Sequence, residues 1–160
     1  MLVRTFGATL LGVEGVLVSV EVDAGRGLPA FHIVGQADRV VAESRDRIRA
    51  AFRQARLEFP PGRVTVNLAP TDLPKTGSAL DLPIALGIAA TRIRLPDGAQ
   101  ADTLYLGELG LDGRLGRIRG ALSLVAAAPP AGIRRAIVPL SNLDEASFCP
   151  DLEVMGAADL

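Results

Sequence analysis

One stretch of the chain, residues 67–90, constrains the fold most, because it passes from a strand through a tight loop into an apolar helix. Residues 63–68, which lead into it, alternate in polarity and are rich in β-branched side chains, which predicts a strand. Two prolines and a glycine then exclude regular structure. Residues 82–90 are almost wholly apolar, so this helix is expected to be buried on most sides. The loop is therefore either a reactive site or a joint in the scaffold.

Length and composition exclude several classes of protein. A chain of 160 residues with a net charge of −1 predicts one domain and no global attraction to nucleic acid or membrane. Cys149 is the only cysteine and His32 the only histidine, which excludes an internal disulfide, a cysteine–histidine zinc site and a histidine-based triad. The chain start lacks the apolar core of a signal peptide, and no apolar run is long enough to span a membrane. We therefore expect a cytoplasmic protein without a membrane partner.

The pattern of apolar residues predicts a single α+β domain over residues 1–160. Three strands with short connections come first and are expected to form an antiparallel meander. Asp38 is the predicted N-cap of the first helix, and an Asp-Gly pair predicts a later hairpin turn. The predicted strands are residues 2–10, 13–22, 30–34, 63–68, 103–109, 115–118, 135–140 and 152–155, and the predicted helices are residues 39–57, 82–90 and 120–128.

The second helix has two candidate starts. Ser78 and Asp81 fit the Ser-x-x-Asp capping pattern, in which Ser78 is the N-cap. That start places Pro83 at the fifth helical position, where it removes a hydrogen bond and crowds the preceding turn. If Asp81 is the N-cap, Pro83 falls at the second position, where it costs little. The sequence therefore favours Asp81.

Four arginines recur on one face of the first predicted helix: Arg45, Arg49, Arg53 and Arg56. We call them the arginine stripe. A row of like charges is in most proteins a solvated helix face with some ion pairs. The alternative is a surface that contacts DNA phosphates or an acidic partner. Both interpretations stay open from the sequence.

The central loop offers one catalytic candidate, Ser78 with Lys75 as its base. A lysine can activate a serine only if desolvation lowers its pKa. Because the two residues are three apart in a loop, both are expected near the surface, where a lysine stays charged and is a poor base. Lys75 is also a candidate for contact with DNA, with a partner protein, or with an anion at the start of the second helix. Neither a Walker A loop nor a dinucleotide fingerprint is present, and no metal-binding pattern occurs.

Three segments of the chain resemble those of a known family. The segments F-H-I-V-G-Q-A-D, N-L-A-P-T-D-L-P-K-T-G-S-A-L-D-L-P-I-A-L-G-I-A-A and L-G-E-L-G-L-D-G-R-L-G-R-I-R-G resemble the amino-terminal, magnesium-chelatase-like domain of the ComM/YifB family of bacterial AAA+ ATPases. The resemblance covers essentially the whole chain. Gln36 and Ala37 depart from it, since the family usually has Leu-Pro before the aspartate, but they touch only a turn.

The resemblance implies a Lon protease-like fold of the ribosomal-protein-S5-domain-2 type, with a mixed sheet, helices packed on it and a left-handed β-α-β crossover. In Lon proteases a serine follows P-K-D-G-P, and a lysine lies on a later helix. Residues 74–78 match the first part with one residue missing, whereas residues 120–124, which correspond to that helix, contain no lysine. A serine without its base is not activated. The resemblance therefore implies a domain that is not an enzyme and binds no cofactor or metal.

In that family an ATPase domain with a P-loop follows this domain, so ATP and Mg²⁺ are expected in the full-length protein and not in this chain. The resemblance implies an accessory role in a hexameric helicase that promotes branch migration in natural transformation and homologous recombination. The expected partners are its own ATPase domain, neighbouring subunits and DNA. Two alternatives stay open, a residual serine hydrolase that uses Ser78 and a domain that binds a phosphate ligand.

Overall fold

The computed structural model describes all residues 1–160 as one mixed α/β unit. Seven strands form the main sheet in the order β3-β4-β2-β1-β5-β8-β9, and β6 and β7 form a separate two-stranded ribbon. The strands are β1 (Leu2–Leu11), β2 (Glu14–Gly25), β3 (Ala30–Val34), β4 (Arg63–Ala69), β5 (Thr103–Tyr105), β6 (Glu108–Leu109), β7 (Leu115–Gly116), β8 (Arg135–Pro139) and β9 (Glu153–Ala157). The helices are α1 (Arg39–Gln54), α2 (Asp81–Ala89), α3 (Ala121–Val125) and α4 (Leu143–Ala146).

The predicted antiparallel meander of the first three strands is wrong for the third. Strands β1 and β2 do form an antiparallel hairpin, but β3 pairs in parallel with β4, which lies between β2 and β3. The reason is the helix α1, which follows β3 and returns the chain so that β4 runs in the same direction as β3. Strand β4 then pairs antiparallel with β2 along its full length, from Ala69 opposite Ser19 to Arg63 opposite Gly25.

Both faces of the main sheet are covered, which explains its apolar composition. Helices α1 and α2 pack on one face over the alternating valines of β2 and β4, whereas α3 packs against β1 and β2 and α4 against β8 and β9 in the second core. Val18, Val20 and Val22 of β2 are fully buried, as their alternation predicts. The predicted mixed sheet with helices packed on it is therefore confirmed.

The first helix begins where the sequence predicts. Asp38 is extended, and its side chain accepts a hydrogen bond from the Val41 amide, so the predicted N-cap is confirmed. Ile48 and Phe52 are buried on the face that packs on the sheet. The helix ends at Gln54, because Arg56 adopts a positive φ of 55° and cannot continue it.

The predicted N-cap of the second helix is wrong. Helix α2 begins at Asp81, its N-cap is Leu80, and no side chain caps it. Pro83 is therefore the third helical residue, where its missing N–H is not needed within the helix. Asp81 and Ser78 are not free to cap because each side chain bonds elsewhere, as described below.

The second half of the chain is more broken than its sequence predicts. The strand expected over residues 103–109 divides into β5 and β6 at Leu106 and Gly107, because β5 stays in the main sheet while β6 leaves it to pair with β7. The Asp-Gly hairpin turn is confirmed between β6 and β7, with Gly113 at a φ of 83°. No helix of the structure combines the length and the apolar surface needed to cross a membrane.

Candidate functional site

The central loop, residues 70–80, joins β4 to α2 and is held along its length by the start of α1. The Lys75 amide donates to the Gln36 carbonyl at 3.0 Å, and the Asp38 amide donates to the Lys75 carbonyl at 3.0 Å. These two bonds form a short parallel bridge between Ala37 and Lys75. The loop is therefore fixed against the turn that precedes α1.

Lys75 lies inside the molecule, which corrects the expectation that it sits near the surface. Its side chain is fully buried, and its Nζ donates to the Pro70 carbonyl. The backbone bridge to Ala37 holds Lys75 in place, and the carbonyl supplies a partner for the ammonium group. Burial lowers the pKa of Lys75 below its ordinary value, and the nearby Asp72 carboxylate opposes this. A buried side chain cannot contact DNA or a partner protein.

Ser78 and Lys75 do not form a catalytic pair. The Ser78 hydroxyl donates to the Glu108 carboxylate, whereas the Lys75 ammonium points to Pro70. Glu108 was not among the sequence candidates. Ser78 and Glu108 are 30 positions apart in the sequence, so no local sequence pattern links them.

Three consecutive amides of the central loop, those of Lys75, Thr76 and Gly77, are occupied by internal partners. The Thr76 amide donates to the Thr9 hydroxyl at 3.2 Å, and the Gly77 amide donates to the Asp38 carboxylate at 3.1 Å. At the start of α2, the Leu82 amide donates to the Gly107 carbonyl at 3.1 Å. An anion-binding loop needs amides that are free to turn toward a ligand. These bonds make the loop a joint between α1, β1 and α2.

Asp81 forms the strongest polar contact near the loop. Its carboxylate is bidentate with the Arg47 guanidinium, at 2.7 Å and 2.9 Å, and accepts the Leu109 amide at 3.0 Å. Burial raises the pKa of Asp81, and the bonds to Arg47 and Leu109 counter that rise. The pair joins α1, α2 and β6. Arg47 was also missed from the sequence, although a carboxylate at the start of an apolar helix signals that a cation must lie opposite it.

A cavity of about 320 Å³ opens beside Ser78. Its wall includes Thr9, Glu108 and the guanidinium-bearing residues Arg117 and Arg119, and Leu124 of α3 closes one side. Helix α3 therefore faces the serine, as the resemblance to Lon proteases implies, but it carries no lysine.

The arginine stripe is not one uniform surface. Arg45 donates to the Ala42 carbonyl at 3.1 Å and to the Phe31 carbonyl at 3.5 Å. The Arg49 guanidinium lies 4.5 Å from the centre of the Phe59 ring and 5.7 Å from that of Phe31, a cation–π arrangement. These contacts occupy two of the four guanidinium groups.

The other two arginines of the stripe are exposed. Arg53 lies on the last turn of α1, and Arg56 lies beyond the helix in a left-handed conformation. Only these two side chains extend freely toward a partner. His32 is exposed and Cys149 is buried, and no three Asp, Glu, His or Cys side chains converge as a metal site would require.

Comparison with protein families matches residues 20–142 to the model described as subunit ChlI of Mg-chelatase. An uncharacterized protein of Mycobacterium tuberculosis is 40% identical over 157 residues, which cover 98% of this chain and 31% of that protein. The competence protein ComM of Haemophilus influenzae is 39% identical over 141 residues, which cover 88% of this chain and 28% of ComM. The uncharacterized protein YifB of Escherichia coli is 40% identical over 135 residues, 84% of this chain and 26% of YifB.

More distant relatives support the fold. A peroxisomal Lon protease homolog of Zea mays is 29% identical over 174 aligned positions, which cover 93% of this chain and 18% of that protein. Together with the mixed sheet, this match identifies the fold as Lon protease-like. The chain spans about a third or less of the length of the curated relatives it matches.

Proposed function

Because the chain belongs to the ComM/YifB family of bacterial AAA+ ATPases, we propose that it is a non-catalytic accessory domain of a ComM-type DNA motor. Its role is to position parts of that motor and to contact DNA. The motor hydrolyses ATP with Mg²⁺ in the part of the protein that lies outside this chain. It works in the cytoplasm, where it promotes branch migration during natural transformation and homologous recombination.

One observation carries the non-catalytic part of this proposal. Ser78 donates to the Glu108 carboxylate, Lys75 is buried against Pro70, and α3 has no lysine, so neither a lysine nor a histidine is placed to remove the proton of the serine. Glu108 is exposed, and a solvated carboxylate is a weak base for a serine hydroxyl. A protease-like fold is thus retained without the chemistry of a protease.

The second part of the proposal, a mechanical role, follows from how the loop is fixed. The contacts of Lys75, Gly77 and Asp81 connect α1, α2 and β6 into one rigid unit. Internal contacts occupy the Lys75, Thr76 and Gly77 amides in the middle of the loop, so these three are not available to a phosphate ligand. A rigid unit of this kind suits a domain that transmits force between its own ATPase domain and neighbouring subunits of a hexamer.

The proposal is tested in the longer family protein that carries this domain. We expect Ser78→Ala to leave ATP hydrolysis and branch migration unchanged, and deletion of the domain to abolish branch migration while some ATP hydrolysis remains. A fluorophosphonate probe is expected to leave Ser78 unlabelled. Labelling of Ser78, together with loss of motor function in Ser78→Ala, would overturn the proposal in favour of a serine hydrolase.

A further inference from the structure

Five arginines gather at one end of the molecule, and only two of them belong to the arginine stripe. We call this end the basic pole; its members are Arg26, Arg53, Arg56, Arg63 and Arg92. The fold brings them together because β2 ends at Gly25, opposite the first residue of β4, while α1 and α2 both end nearby. All five are exposed.

Four members of the basic pole lack a charged partner. None of Arg26, Arg53, Arg56 and Arg63 takes part in any ion pair of the molecule. Arg92 pairs with Glu58 at 2.7 Å, and the Glu58 side chain is itself 80% exposed. Of the eleven arginines elsewhere, six are paired: Arg4, Arg39, Arg47, Arg94, Arg114 and Arg117. Four of the five guanidinium groups of the basic pole therefore have no acidic partner, on a chain of net charge −1.

The basic pole is shaped for an extended ligand. Two open clefts lie side by side on it, of about 630 Å³ and about 230 Å³, and Arg92 lines both. Arg26 also lines the larger cleft, and Arg56 also lines the smaller one. Gly62, which lines the larger cleft, lies so close to the Gly25 carbonyl that any side chain there would clash with it. Two open clefts that share an arginine suit an extended, repeating anion better than a compact small molecule.

Arg56 adds an independent sign that this surface is used. It occupies the position after the α1 C-cap, where the Leu57 amide bonds to the Phe52 carbonyl at 2.9 Å and the Arg56 amide bonds to the Arg53 carbonyl at 3.3 Å. Glycine is the usual residue there, because the left-handed backbone strains any other side chain. An arginine kept at a strained position is expected where its side chain has a task.

We propose that the basic pole binds the phosphodiester backbone of a nucleic acid, with Arg26, Arg56 and Arg63 as its main contacts. This surface deepens the proposed function, on which the choice of DNA as the ligand rests, and replaces Arg45 and Arg49 as contact residues. Arginine favours phosphate because its planar guanidinium bonds to two phosphate oxygens at once. Binding of this kind is independent of sequence and weakens steeply with salt.

The test measures binding of the chain to a fluorescein-labelled DNA duplex of about 30 base pairs between about 50 and 200 mM salt. Arg26→Gln with Arg63→Gln is compared with Arg39→Gln with Arg119→Gln, a control pair at the opposite end that changes the net charge equally. We expect the log–log salt slope of the first pair to be less steep by about 1.8, at about 0.9 for each phosphate contact. The control pair is expected to keep the slope of the wild type.

A second variant separates binding from folding. Arg56→Gly removes a contact and relieves backbone strain, so it is expected to weaken DNA binding while raising the thermal midpoint. Equal loss in the two double variants would reduce the effect to net charge and overturn the proposal. So would wild-type binding to poly-glutamate and not to DNA, which would indicate an acidic protein partner, or binding to neither.

The same experiments distinguish this proposal from the proposed function. If a fluorophosphonate labels Ser78 while the basic pole binds DNA, the non-catalytic function is wrong and the binding surface stands. If Ser78 stays unlabelled and the pole variants bind DNA as tightly as the wild type, only the surface is wrong.

Discussion

The carboxylate of Asp38 accepts the Gly77 amide at 3.1 Å with one oxygen while its other oxygen caps α1 through the Val41 amide at 2.7 Å. One side chain thus fixes both the start of a helix and the middle of the central loop, which lie 39 residues apart. The adjacent backbone bridge between Ala37 and Lys75 reinforces the link. The central loop and α1 are therefore expected to move and unfold together.

The double role of Asp38 predicts a larger cost than that of an ordinary helix cap. Asp38→Ala removes both bonds and should destabilise the chain by about 2 kcal/mol, of which about 1 kcal/mol is the cap. Asp38→Ser keeps the helix cap and loses the bond to Gly77, so its stability should lie between that of the wild type and that of Asp38→Ala. Urea denaturation midpoints measure all three proteins. Equal midpoints for Ser and wild type would mean that the bond to Gly77 contributes nothing.

The buried pair of Arg47 and Asp81 predicts an asymmetric response to mutation. Arg47→Met leaves a buried carboxylate without its cation and should cost about 3–5 kcal/mol, whereas the double change with Asp81→Leu should recover part of that loss. The Asp81 side chain is 1% exposed and that of Arg47 is 19% exposed, so the carboxylate is the costlier group to leave without a partner.

Ser78→Ala, which removes no helix cap, should change the free energy of unfolding by only about 0.5 kcal/mol.

The pH dependence of Arg47→Met checks the same mechanism. Burial raises the pKa of Asp81, and removal of Arg47 raises it further. A carboxyl whose folded-state pKa is raised favours the folded state while it is protonated, and that contribution is lost as the pH rises. Arg47→Met should therefore regain stability relative to the wild type as the pH falls toward the acid range. A pH-independent difference would contradict this account.

Local patterns predicted the elements that short-range chemistry determines. The cap at Asp38, the alternation of β2 and the Asp-Gly hairpin depend on residues within a few positions of one another, and all three are confirmed. The pairing of β3 with β4 was missed, because only the return of the chain through α1 decides which strand lies beside β3.

The chemistry of the candidate site depends on longer separations, and for that reason the sequence predicted it poorly. The burial of Lys75 follows from a bridge to Ala37, the bond of Ser78 from a carboxylate on β6, and the stacking of Arg49 from Phe59 beyond the end of α1. Helical spacing placed Arg45, Arg49 and Arg53 on α1 correctly, but Arg56 lies beyond the end of the helix. It could not show which members of the arginine stripe already have partners.

The buried ammonium of Lys75 predicts a stability that grows at alkaline pH. Its pKa in the folded chain lies below 10.5, its ordinary value. Between the pKa of Lys75 in the folded chain and its ordinary pKa, the unfolded chain holds more protons than the folded chain. The free energy of unfolding therefore rises with pH in this window. Lys75→Met lacks this titration. The free energy of unfolding of the wild type should therefore rise relative to that of Lys75→Met as the pH approaches 10.5. A constant difference between the two proteins across that range would mean that Lys75 is solvated.

The position of Arg49 predicts a role in stability and none in DNA binding. Arg49→Ala removes the guanidinium from the rings of Phe59 and Phe31 and should cost about 1 kcal/mol. Arg53→Ala, one turn further along an exposed face, should cost almost nothing and should weaken DNA binding instead. Denaturation midpoints and the DNA titration are measured on both variants. The reverse pattern would restore Arg49 to the contact surface.

Arg56 offers a prediction in which stability and binding change in opposite directions. Glycine relieves a strain of about 1–2 kcal/mol at the left-handed position but gives the unfolded chain about 0.5–1 kcal/mol of added freedom. Arg56→Gly should therefore stabilise the chain by about 0.5–1 kcal/mol, whereas Arg56→Ala, which keeps a Cβ atom, should bring no gain. Both variants lose the guanidinium and should weaken DNA binding equally. If glycine and alanine give the same denaturation midpoint, the backbone at residue 56 is not left-handed in solution. Arg56 is then under no strain, and its position is no sign of a binding role.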